Sequence, residues 1–371
     1  MEKLRPLGAG TELAQAYLAC AWHGSGDLPI DLERVLDESQ AIFEAAGDRR
    51  GVARCLAARA FAFGQSREEA VRLLHESLAI STEIGDLWDV AYTLFSLGEA
   101  AHMAGAFGEA RRYFEQCLES RMKLGDRQGT GMLLDYLGYM ARGQGEYAES
   151  RQLHERSLAL SEEIGDRQGV AGSLDNLGLL ARDEGNLAEA RRRLEEGLAI
   201  RRATAHRWET AVSLLGLGTV GIAAGENNHA RLWFGEALEL CRLVLWDQGI
   251  ALALAGLAWA SIKLGEPGRA RKEIVSSLMV AGLMQNVVMV QQVLAVAAEV
   301  LDGLDQRERS AQVLAFVLTQ PATYATRKRA ESLLARIVAQ QGAGSLAAAQ
   351  AGAVGKSPAQ VAEMAQEWLS G

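Results

Sequence analysis

Gly216-Leu217-Gly218-Thr219-Val220-Gly221 spells GxGxxG, the turn that admits a dinucleotide pyrophosphate when a strand precedes it and a helix opens inside it. Apolar residues at helical spacing run through and beyond these glycines, so they are expected within a helix, as small packing residues. Of the six histidines, His75, His102 and His154 fall on helical patterns. None joins an HExxH run, a Ser-His-Asp grouping or a pair of carboxylates placed for acid–base work. Cys20, Cys55, Cys117 and Cys241 are far apart, without CxxC spacing or histidines at metal-ligand intervals, which predicts reduced thiols, no metal centre and a cytoplasmic setting. No catalytic residue and no cofactor are expected.

Bulk charge narrows the partners. A formal net charge of -9 is the opposite of the basic stripe that displaces counterions from nucleic acid, so no direct nucleic-acid partner is expected. The start Met1-Glu2-Lys3-Leu4-Arg5-Pro6 has no apolar signal core, and the most apolar stretch, Ile250 to Ile262, stops at Lys263 before it could span a bilayer. No membrane partner is expected either. With 371 residues the chain exceeds one ordinary core. Its 49% hydrophobic and 23% charged residues, with only 5 prolines, are helix-forming material, so an all-α chain is predicted.

The elements that position any site are visible as a repeat of 40 residues. Gly85-Asp86, Gly125-Asp126 and Gly165-Asp166 share that interval, as do Leu97-Gly98, Leu137-Gly138, Leu177-Gly178 and Leu217-Gly218, and Gly105, Gly145, Gly185, Gly225 and Gly265. The glycine of Gly-Asp suits the left-handed residue that ends a helix, and the aspartate can cap the amides that begin the next. Gly105 and its equivalents end the first helix of each pair, and Pro267 stands where a helix opens and a missing N–H costs nothing. Mid-helix glycines such as Gly98 cost roughly 1 kcal/mol against alanine, so a partner helix is expected to approach there. Leu94, Leu134, Leu174 and Leu214 on first helices, and Leu78, Leu118, Leu158 and Leu198 on second helices, supply the apolar stripes. Arg111, Arg151, Arg191, Arg231 and Arg271 recur on second helices beside Glu109, Glu149 and Glu189, the pattern of a solvated outer face.

Leu-Gly, then a small residue (Ala110, Ser150, Ala190, Ala230, Ala270), then a large one four later (Phe114, His154, Leu194, Phe234, Ile274), resembles the tetratricopeptide signature. The period exceeds the usual roughly 34 residues, leucine replaces the aromatic near the start of the first helix, and Gly-Asp replaces the proline between repeats. The resemblance implies a right-handed α-solenoid superhelix of about eight helix pairs with a C-terminal helical cap. Residues 1–46 would be an N-terminal capping pair (Thr11 to Trp22 and Asp31 to Ala46). Residues 47–284 would be the array, with units near 47–84, 85–124, 125–164, 165–204, 205–244 and 245–284, after a shortened turn around Gly64 to Arg67. Residues 285–320 would be a degenerate pair and 321–371 capping helices.

In such a stack the first helices line a concave groove. The residues this offers are Tyr92, Phe95, Glu99 and His102 from one unit, Asp135, Tyr136, Tyr139 and Arg142 from the next, then Asp175, Asn176, Arg182 and Asp183, and later Trp259. Asn176 takes the position from which family members hold a ligand backbone or carboxylate. The tail, Arg329-Ala330-Glu331-Ser332-Leu333-Leu334 followed by Ser357-Pro358-Ala359-Gln360, resembles the C-terminal end of LuxR-type regulators and predicted ATPases of the STAND class. That resemblance implies a non-catalytic sensor portion of a signalling ATPase, with a small-molecule, peptide or protein inducer in the groove and ATPase and effector domains of the same full-length protein as partners. A constitutive protein–protein adaptor and a peptide-pheromone receptor are the alternatives.

Overall fold

The computed structural model describes residues 12, 14–15, 32–63, 67–284, 286–341 and 344–370, and every regular element among them is a helix. Most of the helix expected over Thr11 to Trp22, and the turn at Gly64, lie outside the described residues. The first helices are Leu32–Ala46 (α1), Arg49–Phe63 (α2), Arg67–Ile84 (α3), Leu87–Met103 (α4), Phe107–Lys123 (α5) and Arg127–Gln144 (α6). Tyr147–Ile164 (α7), Arg167–Asp183 (α8), Leu187–Ala203 (α9), Arg207–Ala223 (α10), Asn227–Leu243 (α11), Asp247–Lys263 (α12) and Pro267–Gly282 (α13) continue the pairs. Val287–Gly303 (α14), Arg307–Thr319 (α15), Tyr324–Gln341 (α16), Gly344–Ala353 (α17) and Pro358–Ser370 (α18) complete the chain. The segment after Gly342, which carries no clear periodicity, is thus helical as α17.

Two compact units divide the chain: residues 1–102 with 107–133, and residues 103–106 with 134–371. In the first, Leu56, Ala57, Ala60, Leu73, Leu74 and Leu97 form a core. Ser77 Oγ donates to the Ala53 carbonyl at 2.8 Å, and Cys117 Sγ to that of Ala91 at 3.0 Å, each bridging two helices. In the second, one core gathers Leu194, Leu214, Leu217, Phe234 and Leu257. A larger one joins α12 to α15 with Leu333, Leu334 and Ile337 of α16, Ala349 of α17 and Val361 and Leu369 of α18.

The mid-helix glycines do what their cost demands. A methyl at Gly98 would lie 2.5 Å from the Phe114 ring, at Gly138 2.6 Å from the His154 ring, at Gly178 2.8 Å from Leu194 and at Gly218 2.5 Å from Phe234. Each second helix therefore presses its large side chain, fully or almost fully buried, into the notch its own first helix leaves. GxGxxG is part of the same packing: Gly216 faces Leu194 and Gly221 faces Trp233, inside α10.

The turns also follow from local chemistry. Asp86, Asp126 and Asp166 accept backbone N–H groups of the helices they precede, at 2.9 to 3.1 Å. Gly85, Gly125 and Gly165 are left-handed, with φ of 75°, 68° and 71°. At the corresponding places in the next two repeats the chain keeps that backbone without glycine: Ala205 has φ 57° and Leu245 φ 53°. Such a residue crowds its Cβ against the following carbonyl, at roughly 1–2 kcal/mol.

Leu245 is 85% exposed, so little packing is lost on its removal. Leu245→Gly is expected to stabilise the protein by about 0.5–1 kcal/mol, the left-handed strain relieved less the greater freedom of an unfolded glycine; a lower chemical-denaturation midpoint would contradict this. Gly138→Ala is expected to destabilise by about 1–3 kcal/mol, because the His154 ring must shift, and the same measurement reads it.

Candidate functional site

Within the second unit, the first helices α6, α8, α10, α12 and α14 present one face to a cavity of about 490 Å³. Tyr139 and Arg142 come from α6, Leu179, Arg182 and Asp183 from α8, Leu215 and Thr219 from α10, Leu252 and Trp259 from α12, and Val296 from α14. The opposite wall is the chain's own tail, with Thr323, Ala325, Thr326 and Arg329 at the start of α16. This stretch is anchored at several points. Pro321 sits where a side chain on Gly105 would go, and Tyr324 lies 3.0 Å from where one on Gly145 would go. The Tyr324 ring also meets Tyr147 edge-on, centroids 5.9 Å apart.

Arginine dominates the polar groups. Asp183 accepts from Arg142 Nη1 at 3.0 Å on one oxygen and from Arg182 Nε and Nη2 at 2.9 and 2.5 Å on the other. Arg182 Nη1 also donates to Thr219 Oγ1 at 2.6 Å. Burial pushes the Arg182 guanidinium below its ordinary value, with Asp183 opposing and Arg142 adding to the push. Burial also raises the Tyr139 phenol, with the Arg142 charge opposing; the Arg142 guanidinium lies 5.4 Å from that ring's centre. Farther along, Arg329 stacks 3.6 Å over the Trp259 ring, a cation–π contact. Glu299 ties the two together, accepting from Trp259 Nε1 at 2.7 Å and from Arg329 Nε at 2.5 Å. Burial works against the Glu299 carboxylate, yet Arg329 and Lys263 outweigh it and hold the group below its usual range.

Of the residues expected on the groove, Tyr139, Arg142, Arg182, Asp183 and Trp259 line this cavity. Asp135 and Asp175 instead point between helices. Asp135 is 2.7 Å from His154 Nδ1 and accepts from Ser173 Oγ at 2.8 Å. Asp175 accepts from Ser213 Oγ at 2.7 Å and lies 3.0 Å from Arg201 Nη2. The sequence does carry a signal for this role, since Ser173 and Ser213 share the 40-residue register of the two aspartates. Tyr136 and Asn176 are partly buried and do not line the cavity. Tyr92, Phe95, Glu99 and His102 belong to the first unit, on α4. There Phe95 packs against Phe114, Tyr92 against the Leu56 core, and His102, its charged form disfavoured by burial, against Phe107. The tail residues of the cavity carry no signal in the repeat pattern.

Other groups with chemical potential are occupied structurally. The Cys55, Cys117 and Cys241 thiols are buried and unbridged, and burial pushes Cys55 up to about 12 and Cys241 to about 11, which keeps them protonated and poorly nucleophilic. Arg111 pairs with Glu115 of its own helix at 3.0 Å, whereas three of the other recurrent arginines pair farther along the chain: Arg151 with Glu184, Arg191 with Glu226 at 2.5 Å and Arg231 with Glu266 at 2.9 Å. For these three the acids lie in the following repeat rather than at the neighbouring Glu149 and Glu189. Among the described residues no helix is long and apolar enough to cross a membrane.

Residues 60–123 and 130–203 match the family model described as tetratricopeptide repeat. No curated protein matches the sequence. Among solved structures the chain is similar to a Rap protein complexed with competence and sporulation factor, at 12% identity and a TM-score of 0.59, over 91% of this chain and 98% of that one. It is similar to aspartyl phosphate phosphatase F from Bacillus subtilis at 10% identity and a TM-score of 0.59, over 85% and 78%. A Signal Transduction ATPase with Numerous Domains (STAND) protein with a tetratricopeptide repeat sensor, from Pyrococcus horikoshii, matches at 13% identity and a TM-score of 0.53, over 96% of this chain and 55% of that one. These likenesses are of fold.

Burial raises the Asp175 carboxyl to about 6, with Arg201 and Ser213 opposing. A carboxyl raised on folding favours the folded state while protonated, so its contribution is full below the ordinary value and is lost as pH climbs through about 6. Asp175→Asn is therefore expected to flatten the pH dependence of the denaturation midpoint between pH 4 and 7. An unchanged slope would mean that Arg201 keeps the carboxylate ionised throughout.

Proposed function

We propose, from the premise that residues 60–123 and 130–203 are tetratricopeptide repeats, that this chain is the non-catalytic ligand-sensing portion of a STAND-type signalling regulator. The observation that carries the reading is the cavity in the second unit, built by one face of five successive first helices and walled by α16. Apolar walls with a few convergent charged groups are what ligand sites are made of. A ligand touching several successive helices would bias the angles between repeats, and in a stack where each unit contacts its neighbours such changes accumulate. An attached ATPase would then read the occupied state. The likeness to a STAND protein with a tetratricopeptide repeat sensor, over 96% of this chain and about half of that one, supports it. In this reading residues 47–284 are the sensing array, 1–46 precede it, and 285–371 complete it, in the cytoplasm.

A second reading is a peptide receptor, favoured by the nearly end-to-end likeness to a Rap protein complexed with competence and sporulation factor. A constitutive adaptor is the third. The three part on what stabilises the purified chain. For the sensor, the small-molecule fraction of native cytoplasm raises the melting temperature by several degrees, as saturating ligand does, and Trp259→Ala removes the rise while melting cooperatively. Stabilisation by the peptide fraction alone would favour the receptor, and a stoichiometric protein partner indifferent to both fractions would sink the sensor.

A further inference from the structure

The polar groups of the cavity are not balanced. Arg142 and Arg182 share the single carboxylate of Asp183, which leaves one positive charge over at that end. The buried Nε of Arg142 has no hydrogen-bond partner among the described residues, nor has the buried Nη2 of Arg329 on the tail side of the same cavity. Arg329 and Lys263 in turn share the one carboxylate of Glu299. Buried guanidinium donors without an acceptor are costly, and Asp183 is the one carboxylate among the lining residues, most of the rest, such as Leu179, Leu215, Leu252 and Val296, being apolar. A bound anion would balance the surplus positive charge at the Arg142–Arg182 end.

The walls also restrict the size and shape of the guest. A volume of about 490 Å³ is that of a site for a small organic molecule. The start of α16, with Thr323, Ala325, Thr326 and Arg329, walls the side of the cavity along which an extended chain would otherwise lie across the first helices. We propose that the cavity binds a small organic anion, a carboxylate on an apolar body. The Arg142–Arg182 pair receives the carboxylate, and Trp259 with the leucines encloses the body. The inference rests on the sensor reading of the same cavity and names its ligand class.

The test uses a matched pair of probes, octanoate and 1-octanol, competing for the bound fluorescent anion 1-anilinonaphthalene-8-sulfonate on the whole chain. Octanoate is expected to displace it at a concentration at least tenfold lower than 1-octanol does. Arg142→Gln should raise the octanoate midpoint about tenfold, as loss of a charge-assisted contact does, and leave 1-octanol unmoved. Leu215→Trp, which fills the cavity, should abolish saturable binding with the helical circular-dichroism signal unchanged. Equal displacement by the two probes, or an Arg142→Gln variant with unaltered octanoate affinity, overturns the anion assignment while the cavity stays a ligand site. No displacement by either probe from folded protein overturns the assignment together with the sensor reading.

Discussion

Everything in this fold depends on how closely a second helix can approach its first. At Gly98, Gly138, Gly178 and Gly218 a single methyl would collide with the ring or branched side chain opposite. The absence of a side chain is thus what lets Phe114, His154, Leu194 and Phe234 be buried, each worth a few kcal/mol of apolar contact at most. Phe234 is held from two sides, since a side chain on Gly256 of the following repeat would also meet it. The same contact that closes one hairpin therefore seats it on the next. The regular advance of first helices, and with it the cavity they share, is a product of that repeated fit.

Inside this frame the charged groups fall into two kinds with different consequences. Asp135 and Asp175 sit between helices, where they pair with His154, Arg201 and two serines. Breaking such a buried set leaves an uncompensated charge, which is far costlier than the set itself is stabilising. The outer pairs from Arg151, Arg191 and Arg231 to acids of the next repeat are part-exposed, and are worth little each. They serve as register marks between repeats more than as glue. The arginines of the cavity belong to neither kind, because they outnumber the acids they meet.

Helix order, turn positions and partner contacts were legible because each depends on a local rule: a glycine for a left-handed turn, an aspartate for a cap, a notch opposite a large residue. Ala205 and Leu245 escaped because such a turn closes through backbone hydrogen bonds, as from Trp246 N–H to the Cys241 carbonyl at 2.9 Å, which ask for no particular side chain. The groove was read by counting around a helix, which separates core from outside but cannot tell an open face from the flank against the next repeat. Asp135 and Asp175 occupy that flank, while Tyr139, Arg142, Arg182, Asp183 and Trp259 reach the cavity. The contribution of Arg329 was invisible to periodicity, since it meets Trp259 from 70 residues away, across the array.

Open arrays of this type gain or lose whole units at little cost, because each unit touches only its neighbours. Here the stretch from Pro321 to Arg329 spans several units at once, touching the turn at Gly105, the turn at Gly145 and the helix that carries Trp259. Duplicating or deleting a repeat between those points would carry the three landmarks out of reach of a strap of fixed length. The tail thus acts as a gauge of repeat number, and the unit count of this half of the molecule is closed to the drift by which such arrays usually grow.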